Sequence, residues 1–205
     1  MAAQIDAKKY PRLAGYLSQL PNGLESYPRC EARGTVPRAL LEDKPLPAIP
    51  RGDLPDLLHS IVVNPPLRSG WIPEAASSAL SYLIGDVHGL SEDEHLKMIE
   101  RVTLLLYNGP VYKLLMSIVS PQTLLTVAGS RWSAMHRGTT LTAEKIGTHG
   151  MRLVLEFPDS LFVGLGLRLW ANVYRVTLEH SRAKSAKVLL TEALRTRGVF
   201  ECSWQ

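Results

Sequence analysis

Cysteine is nearly absent from this chain of 205 residues: Cys30 and Cys202 are the only two. They form no C-x-x-C and match no zinc-ligand spacing, which excludes a disulfide framework and a structural zinc site and suits a reduced, cytoplasmic setting. Long apolar runs are lacking as well. The best candidate, Val102 to Leu106, falls far short of the roughly 18 residues a membrane helix needs, so no membrane span is expected. The opening "MAAQIDAKKYPRL" has neither the basic start nor the apolar core of a signal peptide. No repeat and no low-complexity tract occurs, and charge of one sign is scarce, with a net charge of +4. The basic residues are densest between Arg175 and Arg197, with Arg182, Lys184, Lys187 and Arg195 between them. They alternate with apolar residues, as on the wet face of a strand pair, and no nucleic-acid partner is expected.

What is present is ordinary globular material: 45% hydrophobic and 20% charged residues, in a chain long enough to bury a core without staples. Ten of the fourteen prolines fall in the first 70 residues. Proline breaks helices and edits strands, so residues 1–70 are expected to be short helices joined by extended turns, a Pro-rich extension packed on a body formed by residues 71–205. "KKYPRLAGYLSQL" reads as one helix with Leu13, Tyr16, Leu17 and Leu20 on a face, and "GDLPDLLHSIV" as a second, N-capped by Asp53. Helical spacing dominates from Trp71, with Pro73 in a first turn and Ala76, Leu80, Leu83 and Ile84 as a stripe. Ser91 and Glu94 form a capping box before "EDEHLKMIERVTLLLY". "PVYKLLMSIV" makes a further helix after Gly109-Pro110. Ser120-Pro121 then starts a helix that Arg137-Gly138 stops.

Past Gly138 the apolar period changes to two. "TTLTAEKIG" and "MRLVLEF" flank a turn, with Met151, Leu153, Leu155 and Phe157 on one face. Pro158-Asp159-Ser160 is expected to start a helix carrying Leu161, Leu165, Leu169, Asn172, Val173 and Val176 on one side. A second hairpin turns at Thr196-Arg197-Gly198, with Phe200, Cys202 and Trp204 facing inward. The predicted class is α+β: N-terminal helices followed by a four-stranded antiparallel sheet, arranged hairpin–helix–hairpin and covered by helices.

Gly85-Asp86-Val87-His88-Gly89 is the opening motif of two-metal phosphatases. The partner motifs are missing: none of Asn22, Asn64, Asn108 and Asn172 precedes a histidine, and the only other Gly-Asp, Gly52-Asp53, is followed by Leu-Pro. One cluster cannot hold two ions. A metal-dependent phosphoesterase using Asp86 and His88 is therefore the least favoured function, and no metal site or catalytic residue is assigned. His88 and His95 are expected to be solvated at helix ends, and His149 and His180 lie in a turn and at a helix end. Cys30, beside Arg29 and Arg33, is read as a loop residue rather than a reactive thiol. Cys202 is expected to be inert. Gly164-x-Gly166 lacks the third glycine of a dinucleotide fingerprint, and these small residues are expected to let their helix approach the sheet. A ligand pocket is placed among Trp132, His136, Phe162, Leu165, Trp170 and Tyr174, where a helix layer rich in aromatics meets the sheet.

"SGWIPEA", "SPQTLLTVAGSRWSAMHRGT", "GMRLVLEFPD" and "LRTRGVFECSW" resemble segments of an uncharacterised domain family expanded in myxobacteria. That family is distantly similar to the 4-vinyl-reductase and haem-NO-binding group, whose α+β fold also underlies a vesicle-tethering subunit. The resemblance spans Trp71 to Trp204. It implies a non-enzymatic module that binds an apolar small molecule, a sensor or signalling adaptor with a homodimer or signalling-protein partner. The alternative is a structural, homodimerising interaction module without ligand. The haem-binding branch carries a Tyr-x-Ser-x-Arg propionate clasp. The nearest match, Tyr16-Leu17-Ser18-Gln19-Leu20, lacks the arginine, and His136 is the histidine available to iron. The sequence therefore assigns no cofactor: haem, which the resemblance admits, has no supporting residue set.

Overall fold

The computed structural model describes residues 5–108, 120–181 and 183–205. The helix expected over 110–119, its Gly109-Pro110 boundary, and Arg182 lie outside them. The chain divides into two compact units, Met1–His95 and Leu96–Gln205. The class is α+β, as the change of period requires.

In the first unit α1 (Pro11–Leu17), α2 (Thr35–Asp43), α3 (Asp56–Val63) and α4 (Glu74–Val87) surround the antiparallel pair β1 (Glu31–Arg33) and β2 (Trp71–Pro73). Helix α4 is the hub. Ala75, Ala76, Ala79, Leu80, Leu83 and Ile84 are all buried, and the alanines let neighbouring backbones come close. Two expectations are corrected here. Trp71–Pro73 is a strand, antiparallel to Glu31–Arg33, and Pro73 is the N-cap of α4 rather than part of its first turn. Asp53 sits in a 3-10 turn, and α3 starts only after Pro55, whose ring disfavours helix in the residue before it.

The boundary between the units falls inside α5 (Glu92–Tyr107). Its capping box is formed: Ser91 N–H donates to Glu94 Oε2 at 2.7 Å, and Glu94 N–H to Ser91 Oγ at 3.2 Å.

The second unit holds α6 (Pro121–Met135), α7 (Leu165–His180) and a four-stranded antiparallel sheet. Its strands are β3 (Thr140–Lys145), β4 (Gly150–Glu156), β5 (Lys187–Ala193) and β6 (Arg197–Ser203), in the order β3-β4-β6-β5. Ser120 caps α6 as expected, accepting from Thr123 N–H at 3.1 Å, with Pro121 next to it. Alternation fixes the two faces of the sheet. Leu141, Met151, Leu153, Leu155, Phe200 and Cys202 are buried. On the other face Arg152 bridges Glu144 and Glu201 at 3.5 and 3.2 Å, a cross-strand charge ladder. Gly198 lets α7 approach: a Cβ there would lie 2.7 Å from Leu167 Cδ2. At Gly164 a Cβ would meet nothing within 4 Å, so the expected close approach does not rest on that glycine.

The helix expected from Pro158 begins only at Leu165. Residues 157–164 form a loop in which Ser160 has φ +62°. Phe157 N–H donates to Thr196 O and Ser160 N–H to Arg195 O, and Arg195 grips Asp159 with both nitrogens at 2.7 and 2.6 Å. Those bonds to the hairpin turn compete with the helical ladder and win. The buried residues of α7 are Leu167, Leu169, Tyr174, Val176 and Leu178.

Candidate functional site

The phosphatase-like segment has structural roles. Gly85 and Asp86 lie inside α4, Val87 ends it, and His88 is the exposed C-cap. Helix α1 has no side-chain cap of its own, because Tyr10 occupies that position. Asp86 supplies one from a distance, accepting from Arg12 N–H at 3.2 Å and Leu13 N–H at 2.9 Å. A carboxylate at a helix N-terminus also meets the positive end of the dipole. Desolvation raises its pKa, against the lowering effect of those two amides and of the Arg12 charge. Among the described residues no group of three or more His, Cys, Asp or Glu side chains could hold a metal ion. Asp86→Ala is therefore expected to cost about 2 kcal/mol of stability by stranding two donors, with unchanged metal content by elemental analysis.

His95 overturns an expectation. It is 0% exposed, not solvated at a helix end. Its Nε2 lies 2.8 Å from Ser81 Oγ, and its Nδ1 3.5 Å from an Arg12 guanidinium nitrogen. Arginine can only donate, so Nδ1 accepts and Nε2–H donates to Ser81. Arg12 also donates to the Leu90 carbonyl. Gly85 makes the room: a Cβ there would lie 2.7 Å from the Arg12 nitrogen and 2.9 Å from His95 Nδ1. Burial, then the Arg12 charge, lowers the His95 pKa to about 4. The sequence held the signal: His95, Met98, Ile99 and Val102 share one helical face and all are buried.

In the second unit the residues placed in a pocket assemble around α6, α7 and the loop before α7. Trp132 stacks on His136 with ring centroids 4.0 Å apart and planes 17° off parallel. Trp170 closes the pair, 4.8 Å from Trp132 and 5.2 Å from His136. Phe162 lies 5.8 Å from Trp170, and Tyr174 stacks one turn along at 6.0 Å. Phe200 of β6 meets the Tyr174 ring edge-on at 4.9 Å. Leu165 is half-buried at the start of α7. Trp132 Nε1–H donates to Thr139 Oγ1 at 2.9 Å, and His136 is buried. The Tyr174 hydroxyl is buried, and its oxygen has no hydrogen-bond partner among the described residues. Both thiols are buried, with pKa values pushed up by burial to about 11 for Cys30 and about 12 for Cys202. Neither has the depressed pKa that a reactive thiol needs.

No protein-family model and no curated protein matches the chain. Solved structures do. An H-NOX protein from K. algicida, crystallised with unliganded Fe(II), matches at TM-score 0.54 and 15% identity, over 84% of this chain and 96% of that one. A protein solved in work on haem redox potential and porphyrin distortion matches at TM-score 0.57 and 8% identity, over 83% and 97%. A Cs H-NOX mutant matches at 0.51 and 9%, over 84% and 94%. The fold is thus that of the H-NOX domains, in line with the distant haem-NO-binding resemblance. The absence of a cofactor expected from the sequence is corrected by the same finding, because the solved neighbours include haem and Fe(II) proteins. Among the described residues no helix is long and apolar enough to cross a membrane.

Proposed function

We propose that this chain is a ligand-binding sensor domain of the H-NOX fold, of the kind the myxobacterial family resemblance implies, and that its ligand contacts the aromatic cluster around Trp132, His136, Trp170 and Tyr174. The observation that carries this reading is the cluster itself: several rings and a buried hydroxyl without a partner among the described residues, in one unit of a fold whose solved neighbours include haem and Fe(II) proteins. Apolar walls with one or two polar groups are the usual composition of a small-molecule site.

Haem is the group the solved neighbours suggest, and the clasp segment Tyr16–Leu20 does not fit it. Tyr16 is buried against Tyr82, ring centroids 5.0 Å apart. The Ser18 hydroxyl donates to the Gly15 carbonyl at 2.9 Å, and Leu20 stands where the clasp needs arginine. His136 has one ring face covered by Trp132 at 4.0 Å and Trp170 edge-on.

Absorption and native mass spectra of the protein as isolated, then titration with hemin, test the reading. A co-purified organic mass, or a one-to-one Soret band with quenched tryptophan emission, supports a ligand-binding domain. The two outcomes separate an apolar small molecule from haem held by other residues. No bound mass and no spectral change at saturating hemin would leave a module that acts through protein contacts.

A further inference from the structure

We propose that the Tyr174 hydroxyl is the polar anchor of a site for an uncharged, largely apolar molecule bearing one hydrogen-bond acceptor, donating its proton to that acceptor. The inference rests on the ligand-binding reading and names the chemistry of its ligand. It starts from an unmet need. A phenol kept from water without a partner is costly, and buried hydroxyls in proteins are almost always paired. Tyr174 Oη has no partner among the described residues.

Two hydroxyls of the same unit, those of Tyr107 and Thr177, are paired with each other instead. The Thr177 hydroxyl gives its proton to the Val173 carbonyl at 2.7 Å. The Tyr107 hydroxyl, 2.6 Å from Thr177 Oγ1, must therefore be the donor in that pair. The proton of Tyr107 is thus committed, and no hydrogen bond joins Tyr107 to Tyr174.

The described rings that meet the phenol are apolar. Phe200 meets its edge at 4.9 Å and Trp170 stacks at 6.0 Å. The Cys202 thiol is held protonated by burial. The nearby Arg175 charge is answered by Glu100 and Glu179 at 2.7 and 2.8 Å. Among these described neighbours an ionised ligand would find no countercharge, whereas a carbonyl or ether oxygen on an aromatic body meets both the rings and the free O–H. Sites built to hydrogen-bond a ligand discriminate sharply against the isostere that lacks the group.

The test uses that discrimination. The full chain is titrated with 4-fluoroacetophenone and with 4-fluoro-α-methylstyrene, which replaces the carbonyl oxygen by a methylene, and binding is followed by fluorine NMR. The wild-type protein is expected to prefer the ketone by about 5-fold, the worth of one net hydrogen bond. Tyr174→Phe, its fold checked by circular dichroism, is expected to bind the alkene as before and to lose the preference. The wild-type comparison stands even if the variant fails to fold. Equal affinities in the wild type, or a preference that survives in Tyr174→Phe, would overturn the anchor and leave the ligand-binding reading intact. Failure of both probes would overturn the anchor, and together with a blank mass and hemin titration it would remove that reading as well.

Discussion

Acidification from pH 7 to pH 4.5 is expected to destabilise the protein by about 2–3 kcal/mol through His95 alone. Its pKa falls from 6.5 to about 4 on folding. Between those values the unfolded chain binds a proton that the folded chain refuses, so stability is full above pH 6.5 and is lost as the pH falls toward 4. The refusal is geometric. The Nδ1 atom that would take the proton faces Arg12 at 3.5 Å, and Nε2 is committed to Ser81. Asp86 acts in the opposite direction. Its carboxyl pKa is raised in the folded protein, so its protonation returns part of the loss at the acid end. Urea denaturation at half-unit pH steps measures the sum. In His95→Gln, which retains an amide able to reach Ser81, the decline between pH 6.5 and 4.5 should flatten. An equally steep decline in that variant would show that the acid sensitivity lies elsewhere.

Phe200→Ala is expected to cost 3–5 kcal/mol, roughly the range for emptying a buried aromatic site. Phe200 is 0% exposed and pairs across the sheet with Leu153 on one side and Leu190 on the other. Its ring also supports Tyr174 from above. Its loss would leave a void between the sheet and α7 that stiff strands cannot close. Leu189→Ala is the matched control. That side chain lies next to Leu190 on the open face at 64% exposure, and its truncation should change stability by no more than about 0.5 kcal/mol. Tryptophan emission from Trp132, Trp170 and Trp204 reports the unfolding of this unit. Similar costs for the two variants would mean that the covered face of the sheet has been assigned to the wrong side.

Elements stated by many residues were legible in the sequence. Both hairpins declare themselves by alternation over six or seven positions, and the buried faces observed are those the alternation named. The starts of α5 and α6 were legible because a capping side chain leaves a local signature. The ribbon of Glu31–Arg33 and Trp71–Pro73 was not: three residues show no period, and their pairing joins segments distant in the chain. The loop at 157–164 was hidden because it is as apolar as the helix it precedes. What stops the helix there is a set of bonds to a hairpin turn reached through folding. His95 was misread by residue type, although its helical register placed it inside. That Trp132, His136, Phe162, Trp170 and Tyr174 pack together was legible from composition and spacing; whether they form a ligand site was not. The missing partner of Tyr174 could only emerge once the neighbours of its oxygen were known.

Gly85, His95 and Arg12 fill one volume with no slack between them. They are thus epistatic: a methyl group at position 85 should be harmful in this background and tolerated where position 95 has already shrunk to serine or alanine. Lineages descending from this sequence would be expected to exchange the trio together. The glycine–aspartate pair at 85 and 86 then persists through steric debt and helix capping, which is how a helix end can carry the letters of a metal-site motif for reasons of packing alone.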